Sequence, residues 1–233
     1  MVAARVCSAS GNPIQISSFI GSANVVIDLA SGRVRPVDDP VFFLAVSPDG
    51  RTAAEYAEDT VEMADLGSGV RRTLRRLAVP ATPSAVGNGL VGSLGWSPDG
   101  SLLAMRDGAD TLVVDLGGKL RARFPNTNMV NGSQSWAPDG RSLIVYDGQG
   151  PTFSVRPVDG TAPTVLRAPP DAIRPLGWAG SRVVWLTGAA GRQRLVLADE
   201  EALHTETWMR FDVGAVPVEG VTWSTDLTGT VRR

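Results

Sequence analysis

His204, Cys7 and a recurring set of aspartates are the residues of this chain whose types could do chemistry, and their spacing argues against most of it. His204, in LHTETWMRF, is the single histidine. A Ser-His-Asp triad needs a base beside its serine, and no G-x-S-x-G elbow is present, since VGSLG at 91–95 lacks the first glycine. His204 therefore reads as a half-exposed strand histidine. Cys7 is the single cysteine, which excludes an internal disulfide. Its one basic neighbour is Arg5, so it reads as an inert thiol. One histidine and one cysteine do not make a zinc site. Asp49, Asp99 and Asp139 are oxygen ligands of the kind calcium takes, but all three stand at the same place in the same turn, which accounts for them without a metal. There is no phosphate-cradling loop and no dinucleotide fingerprint. No catalytic residue, no metal and no cofactor is expected.

The sharpest charged feature is VRRTLRRL at 70–77, where Arg71, Arg72, Arg75 and Arg76 put four guanidiniums in six residues. Arginine reads carboxylates and other anions. In a regular strand, Arg71 and Arg75 face opposite to Arg72 and Arg76. Two readings compete: a solvated strand edge with acids nearby, and a docking patch for an acidic partner. The formal net charge of −2 and the lack of interleaved aromatics argue against nucleic acid. The long Pro-, Gly- and Asn-rich stretch at 78–93 and the polar stretch NTNMVNGSQ at 126–134 are candidate recognition loops.

The elements that hold these residues announce themselves by repetition. Ser47, Pro48, Asp49 and Gly50 follow Val46; Trp96, Ser97, Pro98, Asp99 and Gly100 repeat the pattern; Trp136, Ala137, Pro138, Asp139 and Gly140 repeat it again. Proline presets φ, aspartate bonds back to the backbone and glycine accepts positive φ, so each copy closes a tight reversal between two strands. Short runs such as SLLAMR, TLVVDL and LRARF follow, bounded by Asp-Gly or Gly-Gly. They read as strands. Each unit thus has one strand before its turn and three after it. Trp178 and Trp223 mark two degraded copies. The marks recur about every 40–50 residues, the period of four-stranded propeller blades.

The motif resembles the TolB-type, WD40-like (PD40) repeat, which implies a β-propeller. It also resembles repeats in the propeller domain of prolyl-oligopeptidase-type peptidases, whose hydrolase domain has no counterpart here. The fold class expected is all-β, a single propeller domain over residues 1–233. Its blades would lie at about 46–95, 96–135, 136–177, 178–222, and 223–233 joined with 1–45. The fifth would be closed by pairing the strand around Trp223 with N-terminal strands in IQISSF, NVVIDL and RVRPV. The recurring tryptophans would pack between blades.

The function expected is a non-catalytic protein- or peptide-binding scaffold with its partner on one ring face. The alternatives are an enzyme acting on a small molecule or sugar through carboxylates in the channel, and an accessory or regulatory propeller domain of a longer protein. No membrane insertion is expected, and the start of the chain lacks the apolar core of a secretory signal. As written the chain reads as cytoplasmic, or as extracytoplasmic if a signal or anchor precedes it. Abundant Ala, Gly, Arg and Val with Lys119 as the single lysine suggests a bacterial, high-GC origin.

Overall fold

The structure is a computed structural model. It describes residues 14–16, 24–28, 33–37, 44–79, 94–148, 152–188 and 194–210. Cys7, Trp223 and most of the 78–93 stretch lie outside these residues, and so does the proposed pairing around Trp223.

Three N-terminal strands, β1 (Ile14–Ile16), β2 (Asn24–Asp28) and β3 (Arg33–Val37), form an antiparallel sheet in the order β1-β2-β3. Four sheets of four strands follow. Blade one is β4 (Leu44–Val46), β5 (Thr52–Ala57), β6 (Thr60–Asp65) and β7 (Arg71–Arg76). Blade two is β8 (Leu94–Trp96), β9 (Leu102–Asp107), β10 (Asp110–Asp115) and β11 (Leu120–Phe124). Blade three is β12 (Thr127–Met129), β13 (Ser142–Asp147), β14 (Phe153–Pro157) and β15 (Thr164–Val165). Blade four is β16 (Ala172–Ala179), β17 (Arg182–Thr187), β18 (Arg194–Ala198) and β19 (Thr205–Arg210). Within each sheet consecutive strands are antiparallel neighbours, so every blade is a meander.

The repeated turn is built as its residues dictate. The Gly100 amide donates to the Ser97 carbonyl at 2.9 Å, and Gly50 and Gly140 repeat the bond to Ser47 and Ala137. These glycines have φ of 69°, 71° and 67°, where a Cβ is strained. Asp99 accepts the Ser97 hydroxyl at 2.6 Å and the Ser101 amide at 3.0 Å. The Ser97 hydroxyl in turn accepts the Leu102 amide at 2.9 Å, tying both strands to the turn. Ser47 and Asp49 repeat this arrangement. Asp139 keeps the amide bond, from Arg141 at 2.9 Å, while Ala137 has no hydroxyl to offer.

The Ser97 hydroxyl is the largest of the effects that hold Asp99 below the usual carboxylate range, and the Ser101 amide adds to it. A depressed carboxylate stabilises the fold above its unfolded pKa, and that contribution is lost as pH falls through the folded value. Ser97→Ala raises the folded value towards the unfolded one. We expect it to cost about 1–2 kcal/mol at pH 7, and the gap from wild type to begin narrowing as pH falls below about 4, the unfolded value, and to close only below the lower folded one. Urea melts at pH 7 and pH 3 check this; an equal gap at both would refute the charge-assisted account.

The core is laid down in the seams between blades. Ala54, Val61, Met63 and Leu74 of blade one meet Trp96, Leu103, Met105 and Leu112 of blade two. Val113 and Phe124 of blade two meet Trp136, Leu143 and Val145 of blade three. Ile144 and Val155 meet Trp178, Val183 and Trp185. Alternating strand residues feed opposite seams, which is why Leu112 and Val113 go to different clusters. The repeated tryptophans also bond across the seams. The Trp96 indole donates to the Ala45 carbonyl at 2.8 Å, and the Trp136 indole to the Gly95 carbonyl at 2.9 Å. Each acceptor stands one residue before the equivalent position in the preceding blade.

Candidate functional site

Two regions were legible as sites from sequence: the centre, where the first strands of the blades meet, and the outer rim, where β7 carries its arginines. At the centre, β4, β8, β12 and β16 carry no aspartate or glutamate. The first strand of blade three is interrupted by a 3-10 turn at Gly132–Ser135. That turn sits against the first strands of both neighbours. The Ser133 hydroxyl accepts the Trp96 amide at 2.9 Å, and the Asn131 side chain donates to the Leu176 carbonyl at 3.1 Å and to the Gln134 side chain. A Cβ on Gly95 would lie 2.5 Å from the Gly132 carbonyl, and one on Gly177 would collide with the Gln134 backbone. The stretch at 126–134, expected as a polar recognition loop, is therefore largely interior. Thr127 and Met129 are buried in β12, and Gly132, Gln134 and Ser135 are buried in the turn. Its polar side chains serve the backbone groups that the broken strand leaves unpaired.

At the rim, β7 departs from simple alternation. The register shifts between Val61 and Glu62, a β-bulge that rotates one end of β7 against the other. The arginines therefore group as Arg72 with Arg75, and Arg71 with Arg76, not as 71/75 against 72/76. Arg72 donates to the Leu116 carbonyl at 2.6 Å and Arg75 to the Gly118 carbonyl at 3.3 Å, both in the β10–β11 turn of blade two. Arg71 pairs with Glu55, a carboxylate left only 3% exposed, and lies 4.0 Å from Glu62. Arg76 pairs with Asp59 at 2.7 Å with its side chain 80% exposed. Arg72 and Arg75 thus tie blade one to blade two, Arg71 is held by acids of its own blade, and Arg76 presents most of its side chain to solvent. Charged residues on a last strand also keep it from pairing with other chains.

Sequence reasoning read LRARF as a strand, β11, but placed no site on it. It is the outer strand of blade two and carries Arg121 and Arg123, paired with Asp115 at 2.8 Å and Asp110 at 2.5 Å. The signal that could have found it was the alternation of apolar and basic residues in LRARF. Asp110 is held below the usual carboxylate range chiefly by the Asn126 amide, and Asp115 chiefly by the Lys119 amide. Asp49, Asp65, Asp99 and Asp159 are lowered likewise by bonds within their own turns, and Asp199 by the His204 side chain. His204 lies exposed in the β18–β19 turn, its Nδ1 2.9 Å from Asp199. Among the described residues no group of three or more His, Cys, Asp or Glu is placed to hold a metal ion, and no helix is long and apolar enough to cross a membrane.

Four-stranded meanders that share apolar seams and bring their first strands together at one centre make a β-propeller. The propeller is TolB-like. The chain is similar in structure to TolB from Acinetobacter baumannii, with a TM-score of 0.54 and 15% identity over 82% of this chain and 50% of that one. It is also similar to a putative TolB from Agrobacterium tumefaciens, with a TM-score of 0.59 and 18% identity over 95% and 85%. An oligogalacturonate lyase in complex with manganese gives a TM-score of 0.54 and 12% identity over 81% and 59%. The chain thus spans about half the length of the Acinetobacter protein. No protein-family model matches the chain, and no curated protein matches it in sequence. At these identities the likeness is one of fold.

Proposed function

We propose that the chain is a non-catalytic propeller that binds a protein or peptide. One observation carries the reading: the first strands of the four described blades bring no carboxylate to the centre, and the 3-10 turn at Gly132–Ser135 packs between two of them. Carboxylate catalysis in a channel needs paired acids, at least one of them raised towards neutrality by burial or a like charge. Asp49, Asp99, Asp110 and Asp115 are lowered, and they stand in turns and on the rim. What the molecule offers outward is a rim of guanidiniums, Arg76, Arg121 and Arg123, on the outer strands of blades one and two. Arginine is enriched at binding hot spots because its planar donors meet carboxylates in pairs.

The test is affinity capture on the immobilised protein from the native cell extract, followed by titration of each captured protein against the purified chain. A captured protein that binds at one to one with a Kd of about 10 μM or tighter is the expected result. Arg76→Ser, which removes an exposed guanidinium without touching a seam, should weaken a partner bound at β7 by several-fold. Turnover of an oligosaccharide or peptide by the purified chain, with no binder captured, would overturn the reading.

A further inference from the structure

An open groove of about 320 Å³ runs along the outer rim between blades two and three. Arg121–Phe124 of β11 form one wall, and the end of β14 with the turn after it, through Pro163, forms the other. β11 is the last strand of its sheet, so its outward N–H and C=O groups have no strand to pair with. The groove stays open because β15 has two residues and pairs only with Ser154 and Val155, leaving Arg156 and Pro157 without an outer neighbour. Ala122, Phe124 and Val158, from the apolar seam of the two blades, give it an apolar lining.

The charge along this groove is one-sided at its surface. Arg121, Arg123 and Arg156 line it, against the single acid Asp159. The acids that balance these arginines bind one side of each guanidinium. Arg121 places Nε and Nη2 on Asp115 at 3.0 and 2.8 Å, and Arg123 does the same on Asp110 at 2.6 and 2.5 Å. Arg156 places Nη2 on Asp147 at 3.0 Å and Nε on the Ser154 hydroxyl at 3.1 Å. In all three, Nη1 has no partner among the described residues. The guanidiniums are therefore held in place with donors to spare, which lowers the entropy cost of using them.

We propose that β11 is a strand-addition edge, and that an extended acidic peptide segment of a partner protein lies in this groove as a fifth strand of blade two. The inference rests on the binding role above and names its site and the chemistry of its partner. Backbone pairing to β11 supplies affinity, and alternate side chains meet the apolar lining and the guanidiniums. The same arginines disfavour neutral and basic strands, so the edge is guarded against self-association yet open to an acidic one.

The probe is a fluorescein-labelled peptide of alternating glutamate and valine. Its controls are a lysine-valine peptide and a glutamate-valine peptide with N-methylated backbone amides. Anisotropy should saturate with the first and not with the second. N-methylation, or Arg156→Gln in a protein of unchanged circular dichroism, should weaken binding about tenfold. The double variant Arg121→Gln/Arg123→Gln gives an independent reading should Arg156→Gln perturb the blade. Amide exchange at 120–124 should slow on binding. Equal binding of the lysine peptide, indifference to N-methylation, or free glutamate competing as well as the peptide would overturn strand addition. Slowed exchange elsewhere with 120–124 unchanged, or failure of the peptide beside a captured partner that does bind, would overturn this site and leave the binding role standing. Failure of both peptide and capture would overturn the two together.

Discussion

Gly95→Ala should destabilise the protein by at least about 3 kcal/mol, an overpacking cost at the upper end of what tight interiors show. The added Cβ would meet the Gly132 carbonyl carbon and oxygen at 2.5 Å and the Ser133 nitrogen at 2.8 Å. All three are backbone atoms, so no side chain can swing aside. Relief requires moving β8 or the 3-10 turn, and the turn is fixed by Ser133 on the Trp96 amide and by Asn131 on the Leu176 carbonyl. For a domain of this size the loss corresponds to a fall in Tm of about 6–12 °C. Gly69→Ala is the control. Gly69, unlike Gly95, has positive φ, at 74°, but nothing lies within 4 Å of its added Cβ. It should cost only about 1 kcal/mol, the local backbone strain. Thermal unfolding of the two variants checks the ordering, and a Gly95→Ala protein that melts with the wild type would remove the close approach at the centre.

Trp136→Ala should cost about 3–5 kcal/mol, the range for truncating a buried aromatic. Trp136 is 1% exposed and fills the seam with Phe124, Leu143 and Val145. Its loss leaves a cavity and also strips the buried Gly95 carbonyl of its 2.9 Å donor. Trp136→Phe separates the two effects: it keeps much of the apolar volume and loses the bond, so about 1–3 kcal/mol should remain. Because Trp136 bonds to Gly95 itself, Trp136→Phe and Gly95→Ala should not be additive, and a double-mutant cycle by urea unfolding should show a coupling of at least about 0.5 kcal/mol. Additive losses would mean that the indole bond does not tie the two blades.

The groupings of arginine show where local reading stops. Four guanidiniums in six residues were visible at once, and so was their place on a strand edge. Their sorting into Arg72 with Arg75, bound to blade two, and Arg71 with Arg76, bound to Glu55 and Asp59, depends on one bulge at Leu74, where Val61 of β6 faces Arg75 and Glu62 faces Thr73. Strict alternation has no way to foresee it, because a bulge is a mismatch between two strands and not a property of either.

The turns, the strand order within each blade and the seam role of Trp96 and Trp136 could be read from the order of residues alone. Those features are set by contacts two to five residues apart, as between Ser97, Asp99 and Leu102, or by a repeat that places equivalent residues in equivalent seams. The packing of blade on blade settled that the 126–134 stretch turns inward, that Arg72 and Arg75 bind blade two, and that a groove opens beside β11. Each of these joins residues about 20 to 50 positions apart, such as Asn131 with Leu176, Arg72 with Leu116, and β11 with Pro157 and Pro163. Such pairings arise when separately legible blades are packed against one another, and their geometry follows from how deeply each blade's short strands reach.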